Sequence, residues 1–205
     1  EFFHETSLEQ RAEAKGKLGV TDKFLILSVG ELRENKNPEV IIRALACLKE
    51  KGMDISHFRY GLLGAGKQEG ELRNLIAEKE LSDIVYFYGY QSDVRPYLQA
   101  ADMLAFPTIR EGLGMAALEA MAMGVPVLAA DNRGTREFMM EKENGYVCMQ
   151  NNPSEYARLI EKMYREQDKW CTNTEKRLQI RKSTEKFDKK NTITVMREVY
   201  GRAIN

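Results

Sequence analysis

The chain is poor in the residues that build metal centres and disulfide frameworks, with three cysteines and two histidines in 205 residues. Cys47, Cys148 and Cys171 are odd in number and far apart, a pattern that fits neither a disulfide scaffold nor a zinc site. His4 and His57 stand isolated and no Asp-x-Asp pair occurs, so no divalent-metal site is expected. Charge of one sign is not in excess: 31 basic residues balance 31 acidic ones, and no broad basic face for nucleic acid is called for. No apolar run approaches the ~18 residues of a membrane span, and the N-terminus lacks an apolar stretch with a cleavage site. Only 5 prolines and 15 glycines, against 43% hydrophobic residues, exclude collagen-like, mucin-like and disordered chains. What remains is a soluble, cytoplasmic chain long enough to bury roughly 70% of its unfolded surface without staples.

Short β-rich runs alternate with longer segments of helical period. Residues 24–30 (FLILSVG) form a continuous apolar run, as a strand buried on both faces should. A helix is expected over 38–51, with Asn37 as N-cap, Pro38 in its first turn and Gly52 past its end. Further strands are expected at 60–63, 84–88, 103–106, 125–129 and 146–149. Helices are expected at 68–80, 93–101 and 113–123, with a helical turn near 136–139. This rhythm predicts an α/β fold, a doubly wound, Rossmann-like, six-stranded parallel sheet. Ligands of such sheets bind beyond the carboxyl ends of the strands. After Pro153 the chain reads as helical to its end, and Ile193, Met196, Val199, Tyr200, Ala203 and Ile204 mark an amphipathic stripe.

The chemistry concentrates in residues 106–121, FPTIREGLGMAALEAM. Glu111 lies in a loop past a strand end, and Glu119 follows eight residues later inside a helix whose neighbours are all apolar. A helix apolar all round is expected to be buried, so Glu119 must be paired, protonated or turned into a cleft. Gly112 and Gly114 leave the backbone N–H groups at the helix start open to an anion. Two carboxylates flanking such a site accept hydrogen bonds from vicinal hydroxyls, so the implied ligand carries two polyol ends joined by phosphate. The structural alternative has Glu111 capping the helix and Glu119 paired with a buried Arg or Lys.

Glu-x7-Glu within FPTIREGLGMAALEAMAMGVPVLA resembles the signature of retaining nucleotide-sugar glycosyltransferases of the GT-B fold, glycosyltransferase family 4. SVGELRENKNPEVIIRAL, LLGAGKQEGELRNLI, VYFYGYQSDVRPYLQAADMLAFP and NGYVC follow in the family's order, over roughly residues 15–165. Capsule and exopolysaccharide enzymes look most similar. The resemblance implies the C-terminal, donor-binding half of a GT-B enzyme, whose N-terminal half binds the acceptor. The opening EFFHETSLEQ, without an initiator Met, then reads as the middle of a longer chain. Residues 1–22 would be the interdomain connection and first helix, 23–165 the nucleotide-sugar-binding domain, and 166–205 helices packing toward the N-terminal domain.

Residue by residue, the resemblance implies that Glu119 holds the ribose hydroxyls and Glu111 hydroxyls of the donor sugar. The backbone around Gly112, Leu113, Gly114, Met115 and Ala116 would hold the phosphates and sugar. Lys36 would reach the diphosphate, and the turn at Gly89, Tyr90 and Gln91 the base. Gly30 and Gly64 would keep the cleft floor open. Where many relatives have a second cation, an Arg after the first-strand glycine, this chain has Glu31, which leaves Arg33 or Arg110 as the partner of Lys36. The resemblance implies transfer of a hexosyl unit, with UDP as the default nucleotide, no metal and no cofactor beyond the nucleotide-sugar substrate. It implies a glycan or lipid-linked acceptor, and inactivity of the donor-binding half alone. The alternatives are another GT-B activity, an epimerase or a glycan phosphorylase, and a non-catalytic ligand-binding or partner-binding α/β domain.

Other signals weigh less. Residues 64–70, GAGKQEG, are one residue too long for a dinucleotide fingerprint and follow the second strand, so a tight turn explains the glycines. Cys47 and Cys148 read as small core residues and Cys171 as an incidental thiol. The charged mixture over 161–190 reads as a solvated helical surface; its basic residues would also serve a peripheral contact with an anionic membrane, at the inner face.

Overall fold

The structure, a computed structural model, describes Phe3 and residues 6–188. The C-terminal stripe from Ile193 to Ile204 and His4 lie outside the described residues. The described order is α1 (Leu8–Lys17), β1 (Phe24–Val29), α2 (Pro38–Glu50), β2 (Phe58–Leu63), α3 (Glu69–Glu78), β3 (Val85–Gly89), α4 (Arg95–Ala100), β4 (Met103–Phe106), α5 (Met115–Ala122), β5 (Val127–Ala130), β6 (Gly145–Cys148), α6 (Pro153–Arg165) and α7 (Thr174–Lys182).

All six strands pair in parallel in the order β3-β2-β1-β4-β5-β6. The expected doubly wound sheet is therefore present. Right-handed crossovers running outward through β2 and β3 place α2 and α3 on one face, and the reversal toward β4 places α4 and α5 on the other. The helix contacts agree: α2 packs on α3 and α6, α1 on α4, and α5 on α7. The central strands β1 and β4 are covered on both faces, and Phe24 to Leu27 and Met103 to Phe106 are all at most 3% exposed.

Element boundaries shift for local reasons. β2 starts two residues early because Arg59, whose charge disguises the run, stacks its guanidinium 3.5 Å from the centre of the Tyr86 ring while the strand continues past it. β5 starts at Val127 instead of 125. Pro126 has no N–H for the ladder and contributes only its carbonyl, which accepts from Leu104 N–H at 2.9 Å. Asn37 occupies the N-cap position of α2 but does not cap it. Its backbone is left-handed (φ 50°) and its amide donates to Asn151 Oδ1 at 2.7 Å.

A buried charge cluster joins α1 to the sheet. Asp102, 3% exposed at the start of β4, accepts from Leu25 N–H at 2.6 Å and from Lys15 Nζ at 2.6 Å. It also pairs with Arg11 of α1, which donates in addition to the Ala101 carbonyl. Each charge therefore has partners, the condition under which burial of an ion pair is tolerated. Over 161–188 the charges are exposed or half-buried, as in the Arg165–Glu161 pair at 2.7 Å, except Arg177, which is 1% exposed and donates to the Met123 and Thr6 carbonyls. No helix among the described residues is long and apolar enough to cross a membrane.

Candidate functional site

The strand order reverses between β1 and β4, so the loops leaving these two strands diverge and open a crevice above their carboxyl ends. Lys36 enters it from a 3-10 turn, Glu34–Lys36, after β1. Glu111 enters from the loop after β4. Their side chains meet at 2.7 Å, Lys36 Nζ to Glu111 Oε2, both mostly shielded from solvent (24% and 18% exposed). The Lys36 stem lies over Gly30, and its Nζ is 5.7 Å from the centre of the Phe106 ring. Lys36 is thus directed by packing, and the partner it finds is the carboxylate of Glu111. Arg33 pairs instead with Glu31 at 3.3 Å, both more than half exposed, and Arg110 is engaged through its backbone by Asn35.

α5 begins at Met115, two residues later than expected. Gly114 is left-handed (φ 76°) and a Cβ there would stand 2.9 Å from the Phe138 ring, so the turn needs glycine. Gly112 N–H donates to the Glu111 carboxylate at 3.1 Å, whereas the N–H groups of Leu113, Gly114, Met115 and Ala116 have no acceptor among the described residues. They form the open, partially positive end of the helix. The expectation that α5 is buried all round fails. Ala117, Leu118, Ala120 and Met121 are buried, but Leu113 is 42% and Met115 58% exposed, and Ala116, Glu119 and Ala122 are half-buried. Methionine and alanine on both faces hide this asymmetry from periodicity.

Glu119 lies on the open face, one turn below Met115. It has no ion-pair or hydrogen-bond partner among the described residues, so the buried-pair alternative is excluded there. Burial raises the pKa of its carboxyl. A carboxyl raised on folding lowers stability once ionised: the loss is absent below the ordinary carboxylate value and grows as pH rises through the folded one. Glu119→Gln should therefore melt higher than the parent at about pH 7.5 and converge with it near pH 4. Thermal melts across that range check this; a parallel offset at every pH would contradict it.

A second recess, of 400 Å³, opens on the β1–β2 side and is lined by Gly30, Glu31, Gly64, Ala65, Tyr90, Gln91 and Val94 among others. Gly64 lines this recess where the loops after β1 and β2 meet. A Cβ there would stand 1.9 Å from the Gly30 carbonyl, so its absence lets the two loops abut. Tyr90 stands at the rim, 78% exposed. Gly30 lines both the recess and the crevice, which sets the two side by side. The structure thus gathers Lys36, Glu111 and Gly30 in the crevice, sets Gly30, Gly64 and Tyr90 around the recess, carries Gly112, Leu113, Gly114, Met115, Ala116 and Glu119 along one loop and helix, and leaves Arg33 tied to Glu31.

Three residues that hold the site left no mark in the sequence pattern. Asn35, Asn132 and Gln150 bond the loop that carries Glu111. They stand in separate loops, Asn35 within the ENKN stretch and Gln150 at the head of a Gln-Asn-Asn run, and no spacing connects the three to one another. Among the described residues no three His, Cys, Asp or Glu side chains gather at one point.

The family model described as glycosyl transferases group 1 matches residues 10–187. Among curated proteins, EpsD of Bacillus subtilis (strain 168), named as a glycosyltransferase, is 36% identical over 179 residues, covering 87% of this chain and 45% of the relative. The amylovoran biosynthesis glycosyltransferase AmsK of Erwinia amylovora is 32% identical over 143 residues, covering 66% of this chain and 34% of the relative. The chain spans about half the length, or less, of the curated relatives it matches. Among solved structures, Anabaena HepE in complex with UDP-glucose superposes with a TM-score of 0.78 at 23% identity, over 98% of this chain and 54% of that one. Sucrose-phosphate synthase from Thermosynechococcus elongatus gives 0.82 at 22% identity, over 99% and 50%.

Proposed function

The chain belongs to the group 1 glycosyl transferases of the GT-B fold, and from that premise we propose that it is the donor-binding half of a retaining enzyme that moves a hexosyl unit from a nucleotide-sugar to a glycan or lipid-linked acceptor. The observation that carries this reading is the pairing of Lys36 with Glu111 beside the open N-terminus of α5, with Glu119, unpartnered among the described residues, one turn further on. The turn after β1 thereby offers a cation, and the loop and helix after β4 free amides and two carboxylates, at the sheet's switch point. In this reading residues 23–165 bind the nucleotide-sugar, 1–22 are the interdomain connection, and 166–205 pack toward an acceptor-binding domain. Transfer needs both halves, so the donor-binding half alone is inactive. The UDP-glucose complex of HepE supports UDP as the nucleotide, and the names of AmsK and its like support a role in surface polysaccharide synthesis.

The chemistry follows from charge. Breaking the anomeric C–O bond leaves negative charge on the departing diphosphate. The amides of Leu113 to Ala116 and the Lys36 ammonium stabilise it as it develops, without the reading calling on a metal. Glu119 holds the ribose, Glu111 orients the sugar, and the base lies in the recess by Tyr90 and Gln91. Arg33 adds a second cation once it leaves Glu31. Donor binding also exchanges partners: the diphosphate takes Lys36, and hydroxyls of the sugar take Glu111.

This exchange gives Glu111→Ala an asymmetric effect. The substitution frees Lys36, so UDP should bind as before or up to about threefold tighter, while the matching UDP-hexose weakens about tenfold. Titration calorimetry with UDP and with UDP-glucose, UDP-galactose and UDP-N-acetylglucosamine, repeated in a chelator, measures both. Equal loss for nucleotide and nucleotide-sugar would remove Glu111 from the sugar site, and sensitivity to the chelator would contradict the metal-free reading.

A further inference from the structure

From Pro107 to Gly112 the chain has neither helix nor strand, yet it must bring Glu111 to a side chain 75 residues away in sequence. Three consecutive carbonyls of this segment each accept a hydrogen bond from an amide side chain of a different loop. Asn132, after β5, donates to the Thr108 carbonyl at 2.7 Å. Gln150, after β6, donates to the Ile109 carbonyl at 2.9 Å and with the same nitrogen to the Asp131 carbonyl at 2.8 Å. Asn35, after β1, donates to the Arg110 carbonyl at 3.0 Å, and its oxygen accepts from Arg110 N–H at 3.1 Å. The Asn35 carbonyl also accepts from Ile109 N–H at 2.9 Å.

Each of these amides is itself aimed. Asn132 is 8% exposed, its Oδ1 accepts from Thr135 N–H at 3.0 Å, and its own N–H donates to Thr135 Oγ1 at 3.0 Å. Asn35 directly precedes Lys36, so one turn fixes both the cation and the segment that carries its partner. The amides are also neutral. A lysine in any of these positions would compete with Lys36 for an anion, and a carboxylate would repel it. A loop with no regular hydrogen bonding is thus over-determined from three sides without adding charge to the crevice.

We propose that Asn35, Asn132 and Gln150 are positioning residues that act through Glu111, setting the loop so that its carboxylate stands where a donor sugar is read while leaving the nucleotide contacts alone. The inference rests on the donor-site reading above. It separates the two ligand classes: loosening the loop weakens recognition of the sugar and spares UDP, which is held by α5, Lys36 and the recess.

The test is a binding cycle on this chain with UDP and with whichever of the three UDP-hexoses named above binds most tightly. Asn35→Ala is expected to weaken the UDP-hexose about tenfold and UDP less than about twofold. Gln150→Ala, which reaches the same loop from the opposite side and is less buried than Asn132, is expected to show the same split at about threefold to fivefold. In a Glu111→Ala background, Asn35→Ala should change UDP-hexose affinity by less than about twofold, because the group it positions is gone. Parallel loss for UDP and UDP-hexose, or an unchanged Asn35→Ala effect when Glu111 is absent, overturns the positioning role alone. A parent chain that binds none of the four probes overturns the donor-site reading and this inference with it.

Discussion

Glu119→Ala is expected to lower the affinity for UDP by about a hundredfold, with a fold at least as stable as the parent's. A half-buried carboxylate without a partner is a folding liability, and its carboxyl is already held above the ordinary range by burial. The liability disappears when two hydroxyls donate to it, and a hydrogen bond to a charged group is worth roughly 1.5–3 kcal/mol. Two such bonds exceed the roughly 2.7 kcal/mol that a hundredfold corresponds to. Vicinal ribose hydroxyls match that demand. Because they favour the ionised form, UDP binding should also weaken as pH falls toward the raised carboxyl value and should release protons there. Calorimetry in two buffers of different ionisation enthalpy measures affinity and proton release together. Unchanged affinity for every nucleoside diphosphate would remove Glu119 from the site.

The second large effect lies at the opposite end of the strands. Asp102→Ala is expected to cost about 3–5 kcal/mol of stability, because it leaves Arg11, 6% exposed, as a buried cation without its anion. At roughly 2–4 °C per kcal/mol for a chain of this size, the melting temperature should fall by about 6–20 °C. The Leu25 N–H would lose its acceptor as well. Replacing Arg11 together with Asp102, Arg11→Met with Asp102→Ala, should recover part of the loss, since one buried unpaired charge is then removed while Lys15 keeps only the Lys23 carbonyl. Additive losses in the double variant would show that the pair itself contributes the stability. UDP binding, measured below the lowered melting temperature, should change little because the cluster lies at the N-terminal ends of the strands and the crevice at the carboxyl ends.

The two glutamates differ in how legible they were. Eight-residue spacing across a strand-end loop and a helix identified both, and local chain geometry keeps them on one unit. The partner of Glu111 was not legible. Lys36 and Glu111 are 75 residues apart in sequence, and only the pairing of β1 with β4 brings their loops together. Arg33 was an equally reasonable companion for Lys36 by sequence, and the structure turns it toward Glu31. The exposed face of α5 is hidden from the sequence for a related reason. Ala and Met serve a packed face and a ligand-facing one equally well, so composition carried no direction.

Strand number, parallel pairing and the location of the chemistry at strand ends follow from the chain alone, because buried parallel strands leave continuous apolar runs and crossover helices leave a 3.6-residue period. These signals act over a few neighbouring residues and survive without knowledge of the partner. The meeting of Lys36 with Glu111, the open face that bears Glu119, and the three amides converging on Thr108, Ile109 and Arg110 were decided only in the tertiary structure. Hydrogen bonds and ion pairs between loops depend on directions and distances set by the packing of the whole sheet, and a single Asn or Gln in a loop has no periodicity by which to announce its partner.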